Sequence, residues 1–147
     1  MLVDSIDRAL IDVIHEECDD WQRAIQITTK YLEENGYVTS SYASAIIAST
    51  KLNGPYYVLC PGVAMPHARP EQGAIKTGIG IHVFTHPVDF QSDLGPASVL
   101  LTLSAIDSDT HIQLIQSLSE MLVDENNIDK LANATSKEDV IDIIKTY

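Results

Sequence analysis

The first third of the chain arranges apolar and polar residues with helical spacing. Between Trp21 and Leu32 most apolar residues recur three or four positions apart, which predicts an amphipathic helix. Asp19 or Asp20 is suited to cap its N-terminus, and Gly36 is suited to end it. This helix is the clearest element of the N-terminal region.

Weaker signals lie on either side of that helix. Asp4–Leu10 predicts a short helical turn, and Ile11–Cys18 predicts an edge strand. Thr39 is predicted to cap a second helix that ends near Asn53-Gly54-Pro55, because glycine and proline interrupt helices.

The middle of the chain is rich in residues that favour strands. Tyr56–Cys60 and Lys76–Phe90 contain many Val, Ile, Tyr and Phe residues punctuated by glycine and proline, which is typical of short strands and loops. Ala97–Ile106 is an almost continuous apolar run, as expected of a central strand that is buried on both faces.

Helical spacing returns in the last third. A long helix is predicted to open at Ser108 or Asp109, a short one to cover Glu125–Leu131, and a last one to follow Ser136, which begins a sequence like a capping box. Helices at both ends of a strand-rich middle predict an α/β sandwich around a mixed sheet. The length of 147 residues predicts a single domain, residues 1–147.

Composition and charge narrow the class of protein. Apolar residues make up 45% of the chain, as in globular proteins, yet no apolar run reaches the roughly 18–20 residues of a membrane-spanning helix. The N-terminus lacks a secretory signal pattern, and Cys18 and Cys60 form no CxxC pair, so we expect a cytoplasmic protein. A net charge of −12 disfavours general binding to nucleic acid.

The charge is unevenly distributed along the chain. Between residues 35 and 88 one acid, Glu71, faces three cations, Lys51, Arg69 and Lys76, so this segment has a net charge of +2. A small anionic group is better tolerated here than elsewhere on a negative protein. Common phosphate-binding loops are absent from the sequence, because there is no Walker pattern and Gly78-Ile79-Gly80 lacks the third glycine of a dinucleotide-binding loop.

His67 has the strongest local signal for chemistry. It lies between Pro66 and Pro70, and prolines restrict the backbone on both sides of it. A stiff loop presents an imidazole at a low cost in entropy. Arg69, two residues further on, carries a planar and permanently charged group that suits phosphate oxygens. The local sequence is equally compatible with a histidine that is packed in the loop for structural reasons.

The other histidines have weaker signals. His111 lies in the first turn of the predicted long helix, where the helix dipole favours an anion, although spacing alone favours a solvent-facing residue. His82 and His86 share one face of a predicted strand without a third defined ligand, so they indicate zinc only weakly. His15 lies in an acidic segment and is predicted to be a solvated surface residue.

The order of these motifs resembles a known family. Pro66-His67, then Lys76-Thr77-Gly78, then His111-Ile112-Gln113 are similar to the mannitol/fructose-type enzyme IIA domains of the sugar phosphotransferase system, over nearly the whole chain. Gly54-Pro55-Tyr56 and the segment from residue 61 to residue 71 look most like the ascorbate-specific branch. The resemblance implies an α/β fold in which a mixed, mostly parallel sheet is flanked by helices on both faces.

The resemblance also implies a phosphocarrier for sugar uptake. The family's phosphorylated histidine falls on His67, and its second active-site histidine falls on His111. The implied donor is phospho-HPr and the implied acceptor is a cognate enzyme IIB, through which a membrane enzyme IIC is reached. No cofactor or metal is implied. Mannitol-type members have an arginine near the end of the second helix where this chain has Ser49, so we take Arg69, with Lys51 as the alternative, as the cation that supports the phosphoryl group.

A site that faces two partners in turn is expected to have a shallow, partly apolar surface, for which Val63, Met65 and Ala68 are candidates. Two other functions stay open at this point. One is a regulatory, nitrogen-type enzyme IIA that controls other proteins, and the other is a non-catalytic ligand- or metal-binding module built on the histidines. The sequence also leaves open the sugar, the phosphorylated nitrogen of His67 and the oligomeric state.

Overall fold

The computed structural model describes residues 2–147, apart from the side chains of Leu2, Val3, Ser108 and His111. The helices in this part of the chain are α1 (Leu2–Ser5), α2 (Trp21–Glu34), α3 (Tyr42–Asn53), α4 (Ser108–Leu122), α5 (Glu125–Ala132) and α6 (Lys137–Ile144). The strands are β1 (Ile11–Ile14), β2 (Val58–Cys60), β3 (Gly62–Ala64), β4 (Gly78–Val88) and β5 (Ala97–Ser104). Short 3-10 turns cover Arg8–Leu10 and Pro70–Gln72.

The strands form one mixed sheet in the order β1-β4-β5-β3-β2. β1 runs parallel to β4 and β3 parallel to β5, whereas β4 with β5 and β2 with β3 are antiparallel. The expected mixed α/β fold is confirmed, with parallel pairs equal in number to antiparallel pairs instead of in the majority. The predicted edge strand is also present as β1, although it ends at Ile14.

Helices cover both faces of the sheet, as the resemblance implied. α2 and α3 bury Ala24, Ile25 and Ile46 against one face, and α4, α5 and α6 cover the other with a second apolar cluster. Neighbouring residues of β5 alternate between the two clusters: Leu100 packs in the first and Leu101 in the second. β5 is therefore buried on both faces, as its apolar run predicted. No described helix combines the length and the apolar character needed to cross a membrane.

Local sequence explains where α2 and α6 begin. Asp20, one of the two predicted caps, accepts the backbone N–H of Arg23 at 3.0 Å and so satisfies a donor of the first turn of α2. Ser136 does the same for α6, since its hydroxyl accepts the N–H of Asp139 at 3.3 Å.

α3 begins later than the sequence predicts. Thr39 was expected to cap it, but the helix begins at Tyr42, behind Ser41. The physical reason is that the N–H of Thr39 donates to the carbonyl of Gly73 at 2.8 Å, beside an antiparallel bridge between residues 38 and 74. That pairing keeps the backbone at residues 38 and 39 extended, so the helix begins after them.

His82 is a fully buried imidazole beneath α2. Its ring centroid lies 4.5 Å from that of Tyr31, and neither ring nitrogen has a hydrogen-bond partner among the described residues. Burial lowers the pKa of His82 to about 4, although the nearby carboxylate of Asp12 opposes the shift. His86 is exposed, so the two histidines form no metal pair, and no three potential metal ligands cluster among the described side chains.

We expect His82 to make the protein less stable in mild acid. The unfolded chain binds a proton at His82 near pH 6.5, whereas the folded chain binds it only near pH 4, so the free energy of unfolding falls as the pH drops through this range. Urea unfolding at about pH 7.5 and about pH 5 should reveal a loss of about 2 kcal/mol from this group. His82→Leu should abolish that part of the pH dependence.

The exposed His86 on the same strand provides the matched control. His86→Leu should leave the pH dependence of the free energy of unfolding as it is in the wild type. A His82→Leu variant that loses stability in acid as steeply as the wild type would contradict the prediction.

Candidate active site

The loop that carries His67 follows β3 and is hydrogen-bonded to the end of β5. The N–H of Leu103 donates to the carbonyl of Pro66 at 3.0 Å. On the other side of His67, the N–H of Ala68 donates to the hydroxyl of Tyr42 at 3.0 Å. The stiffness that the prolines impose is therefore combined with hydrogen bonds to β5 and to α3.

The imidazole of His67 is half-buried and has a defined orientation. Its Nδ1 lies 2.8 Å from the carbonyl oxygen of Met65. Because a carbonyl oxygen only accepts hydrogen bonds, Nδ1 carries the proton, and the lone pair of the neutral ring is on Nε2. The ring of Tyr56 stands perpendicular to that of His67, with the centroids 5.8 Å apart. This geometry leaves Nε2 as the nitrogen that is available to a ligand, a choice that the sequence leaves open.

His67 lines a surface cleft of about 630 Å³. Small side chains of α3, namely Ala45, Ala48 and Ser49, line it as well, and they leave room beside the imidazole. Arg69 also lines the cleft. The cleft therefore brings together an imidazole, a hydroxyl group and a cation at one open position.

The exposed apolar residues around His67 differ from those that the sequence predicted. Val63 and Met65 were expected to form a docking surface, but they are 0% and 4% exposed, since they pack into the core between the sheet and the helices. Ala68 is partly exposed and lines the cleft, as expected. Leu52 and Tyr56, which also line it, are 83% and 50% exposed and supply the apolar surface beside His67.

Of the two candidate cations, Arg69 shares the cleft of His67. Its backbone is held by Gln72, whose amide oxygen accepts the N–H of Arg69 at 2.9 Å. Its guanidinium lies 3.5 Å from the carboxylate of Glu71, and both side chains are largely exposed. Lys51 follows Ser49 by two residues on α3, which is about 200° around the helix, and it does not line the cleft.

The start of α4 lies at the same end of the sheet as the His67 loop. Asp107 caps this helix, because its carboxylate accepts the N–H of Thr110 at 2.9 Å, and this hydrogen bond holds the pKa of Asp107 below its usual range. The hydroxyls of Thr110 and Thr77 are 3.1 Å apart and join the helix to the entry of β4. The helix begins at Ser108, as predicted.

His111 is the fourth residue of α4, and the backbone of this helix starts five residues after Leu103, to which the loop of His67 is bonded. The imidazole of His111 lies outside the described residues. The close approach of His67 and His111 that the resemblance implied therefore stays a prediction.

Tyr42 and Leu52 belong to the site although the sequence does not mark them as candidates. Nothing in the local sequence indicates that the hydroxyl of Tyr42 bonds a residue 26 positions away. The position of Leu52 near the end of a predicted helix does not indicate that it lines a cleft. Tyr56 stood within a motif of the ascorbate-specific branch, and that motif was a signal that could have pointed to the cleft.

Residues 5–147 match the family model described as "Phosphoenolpyruvate-dependent sugar phosphotransferase system, EIIA 2". The chain therefore belongs to this family of enzyme IIA components, and the resemblance found in the sequence is confirmed. The match spans both the loop of His67 and the start of α4.

Two relatives illustrate its place in the family. The mannitol-specific cryptic phosphotransferase enzyme IIA component of Escherichia coli (strain K12) is 45% identical over 143 residues, which is 97% of each chain. The ascorbate-specific PTS system EIIA component of Escherichia coli (strain K12) is 35% identical over 133 residues, which is 89% of this chain and 86% of the relative. Of these two, the mannitol-specific component is the more similar.

Solved structures agree with this assignment. The solution structure of the mannitol-specific cryptic phosphotransferase enzyme IIA CmtB from Escherichia coli superposes with a TM-score of 0.89 and 43% identity over 99% of both chains. The enzyme IIA of mannitol from Escherichia coli, in its complex with phosphorylated enzyme IIB, superposes with a TM-score of 0.83 and 26% identity over 97% of this chain and 98% of that one.

We expect neutral His67 to exist mainly as the tautomer with the proton on Nδ1, because the carbonyl of Met65 accepts from that nitrogen. Nitrogen-15 NMR of the histidine side chains at a pH above their titration should report this tautomer. The exposed His15 and His86 provide the comparison in the same spectrum. A proton found mainly on Nε2 of His67 would refute the assignment of Nε2 as the nucleophile.

Proposed function

We propose that this chain is a cytoplasmic phosphocarrier that accepts a phosphoryl group from phospho-HPr on Nε2 of His67 and passes it to a cognate enzyme IIB. The observation that carries this proposal is the hydrogen bond of 2.8 Å from Nδ1 of His67 to the carbonyl of Met65, at an open cleft that Arg69 also lines. The relative whose solved complex contains phosphorylated enzyme IIB supports the choice of acceptor.

The transfer is a pair of in-line displacements at phosphorus. The lone pair of His67 Nε2 forms a bond to phosphorus while the bond to the donor breaks, and the donor keeps the electron pair of that bond. In the second step a thiolate of enzyme IIB attacks phosphorus, and the electron pair of the P–N bond returns to Nε2. The carbonyl of Met65 stabilises the positive charge that the ring acquires on attack, much as the buried acid of a catalytic triad supports its histidine.

The remaining task of the site is to neutralise charge on the phosphoryl oxygens. In such transfers the charge spreads over three equatorial oxygens, and fixed donors and cations stabilise it. Arg69 supplies a planar cation at the cleft, and Ser49 supplies a hydroxyl in the place of the arginine of mannitol-type members. We assign His111 a supporting role beside the phosphoryl group.

The exposed apolar side chains of Leu52 and Tyr56 suit a surface that docks two proteins in turn and releases both. Transient complexes of this kind use small interfaces. The two relatives are named for sugar-specific systems, which favours sugar uptake through enzyme IIB and a membrane enzyme IIC over a regulatory role. Mannitol-type sugars and ascorbate are the first substrates to test.

His67→Ala should abolish phosphorylation of this protein by phosphoenolpyruvate, enzyme I and HPr. Mass spectrometry after this incubation should locate one acid-labile phosphate on His67 of the wild type. His86→Ala removes an exposed histidine outside the site and should be labelled as fully as the wild type. Full labelling of His67→Ala would end the proposal.

Arg69→Ala should slow phosphoryl transfer by about 10- to 100-fold, because the cation at the cleft stabilises charge that develops on the phosphoryl oxygens. Lys51→Ala removes a cation from a different side of α3 and should change the rate by less than about twofold. Rapid-quench measurement of transfer from phospho-HPr compares the two variants. If Lys51→Ala were the slower variant, the supporting cation would be Lys51.

A further inference from the structure

The hydroxyl of Tyr42 connects the loop of His67 to the central sheet. Tyr42 is the first residue of α3 and is 1% exposed. Its hydroxyl lies 2.7 Å from the carbonyl of Leu103 and 3.3 Å from the carbonyl of Ala68, and it accepts the N–H of Ala68 at 3.0 Å. Since a phenol has one proton, the short bond to Leu103 takes it, and a lone pair receives the N–H of Ala68.

Both neighbours of His67 are thereby bonded to the same residue of β5. The carbonyl of Pro66 accepts directly from the N–H of Leu103 at 3.0 Å. Ala68 reaches the carbonyl of Leu103 through the hydroxyl of Tyr42. The backbone of His67 is held on either side by the strand that is buried on both faces of the sheet.

We propose that Tyr42 is a positioning residue for His67, whose buried hydroxyl fixes the loop so that the imidazole keeps its bond to Met65 and aims Nε2 at the phosphoryl group. This inference rests on the proposed phosphoryl transfer at His67. Tyr42 acts through the loop and not on the phosphoryl group, because its hydroxyl is buried and bonded to backbone groups.

The physical basis is the steep dependence of transfer on alignment. A displacement of the reacting atom by about 1 Å can cost about 100-fold in rate. The hydroxyl is a donor at neutral pH as any phenol is, and burial raises the pKa of Tyr42 further. A phenylalanine at this position keeps the buried ring and removes only the oxygen through which Ala68 is joined to the strand.

The test compares Tyr42→Phe with Tyr57→Phe. Tyr57 is also 1% exposed, and its hydroxyl lies 2.9 Å from that of Thr50. Its backbone carbonyl accepts the N–H of Met65 at 2.9 Å, a bond that the phenylalanine variant keeps. Both variants should lower the urea midpoint, Tyr42→Phe by more, because it leaves the N–H of Ala68 and the carbonyl of Leu103 without their partner, whereas Thr50 keeps its bond to the carbonyl of Ile46. Tyr42→Phe alone should lower kcat for transfer from phospho-HPr, by about tenfold, with the KM for phospho-HPr unchanged.

A second measurement reports the position of the imidazole without transfer. In the nitrogen-15 spectrum, Tyr42→Phe should shift His67 towards the tautomer with the proton on Nε2, whereas Tyr57→Phe should keep the wild-type signal. An unchanged kcat and tautomer in folded Tyr42→Phe would overturn the proposal. Equal losses of kcat in the two variants would overturn it too, as would a rise in KM at unchanged kcat, because the effect would then lie in stability or in docking.

A backbone variant keeps the test decisive if Tyr42→Phe does not fold. Replacing Ala68 by lactate puts an ester oxygen in place of its N–H and leaves Tyr42 bonded to Leu103. The same fall in kcat and the same change of tautomer are expected, and wild-type behaviour would overturn the proposal. Failure of the proposed function itself is distinguishable, because the wild type would then take no phosphate on His67 whatever the spectra of the variants.

Discussion

The hydrogen-bonded attachment of the loop of His67 to the end of β5 is the constraint on which the site depends. β5 lies in the centre of the sheet, pairs with β4 and β3, and is buried on both faces. A strand in that position has little freedom to move, because its backbone is bonded on both edges and its side chains are close-packed. Leu103, near the end of this strand, restrains the residues on either side of His67, because it bonds Pro66 directly and Ala68 through the hydroxyl of Tyr42.

The site separates a rigid part from an adaptable part. The imidazole is oriented by the backbone of its own loop, through the carbonyl of Met65. Arg69 and its neighbour Glu71 are largely exposed, so their ion pair is weak and leaves the guanidinium able to change partners. This division suits a carrier that must hold its reacting atom fixed while two different proteins dock and leave.

Sequence patterns predicted the parts of the fold that depend on local spacing. The helical spacing after Asp20 and the apolar run at residues 97–106 located α2 and β5. A helix buried on one face has periodic apolar residues, and a strand buried on both faces has a continuous apolar run. The predicted cap at Thr39 was wrong because the N–H of Thr39 donates to the carbonyl of Gly73, and a bond to so distant a residue cannot be predicted from the local sequence. Val63 and Met65 were predicted to be exposed although they lie in the core. The glycine and prolines around them are typical of surface loops, whereas Val63 lies in β3.

The sequence by itself determined which residues are the candidates for the chemistry: a histidine between prolines and an arginine two residues further on, in a segment less acidic than the rest of the chain. It also determined the family, because the order of the motifs is a property of the chain. Only the tertiary structure decided which nitrogen of His67 is hydrogen-bonded to Met65, that Arg69 and not Lys51 lines its cleft, and that the hydroxyl of Tyr42 joins Ala68 to β5. The reason is physical: residue type and spacing are encoded locally, whereas a hydrogen bond between residues far apart in the chain exists only once folding has brought them together.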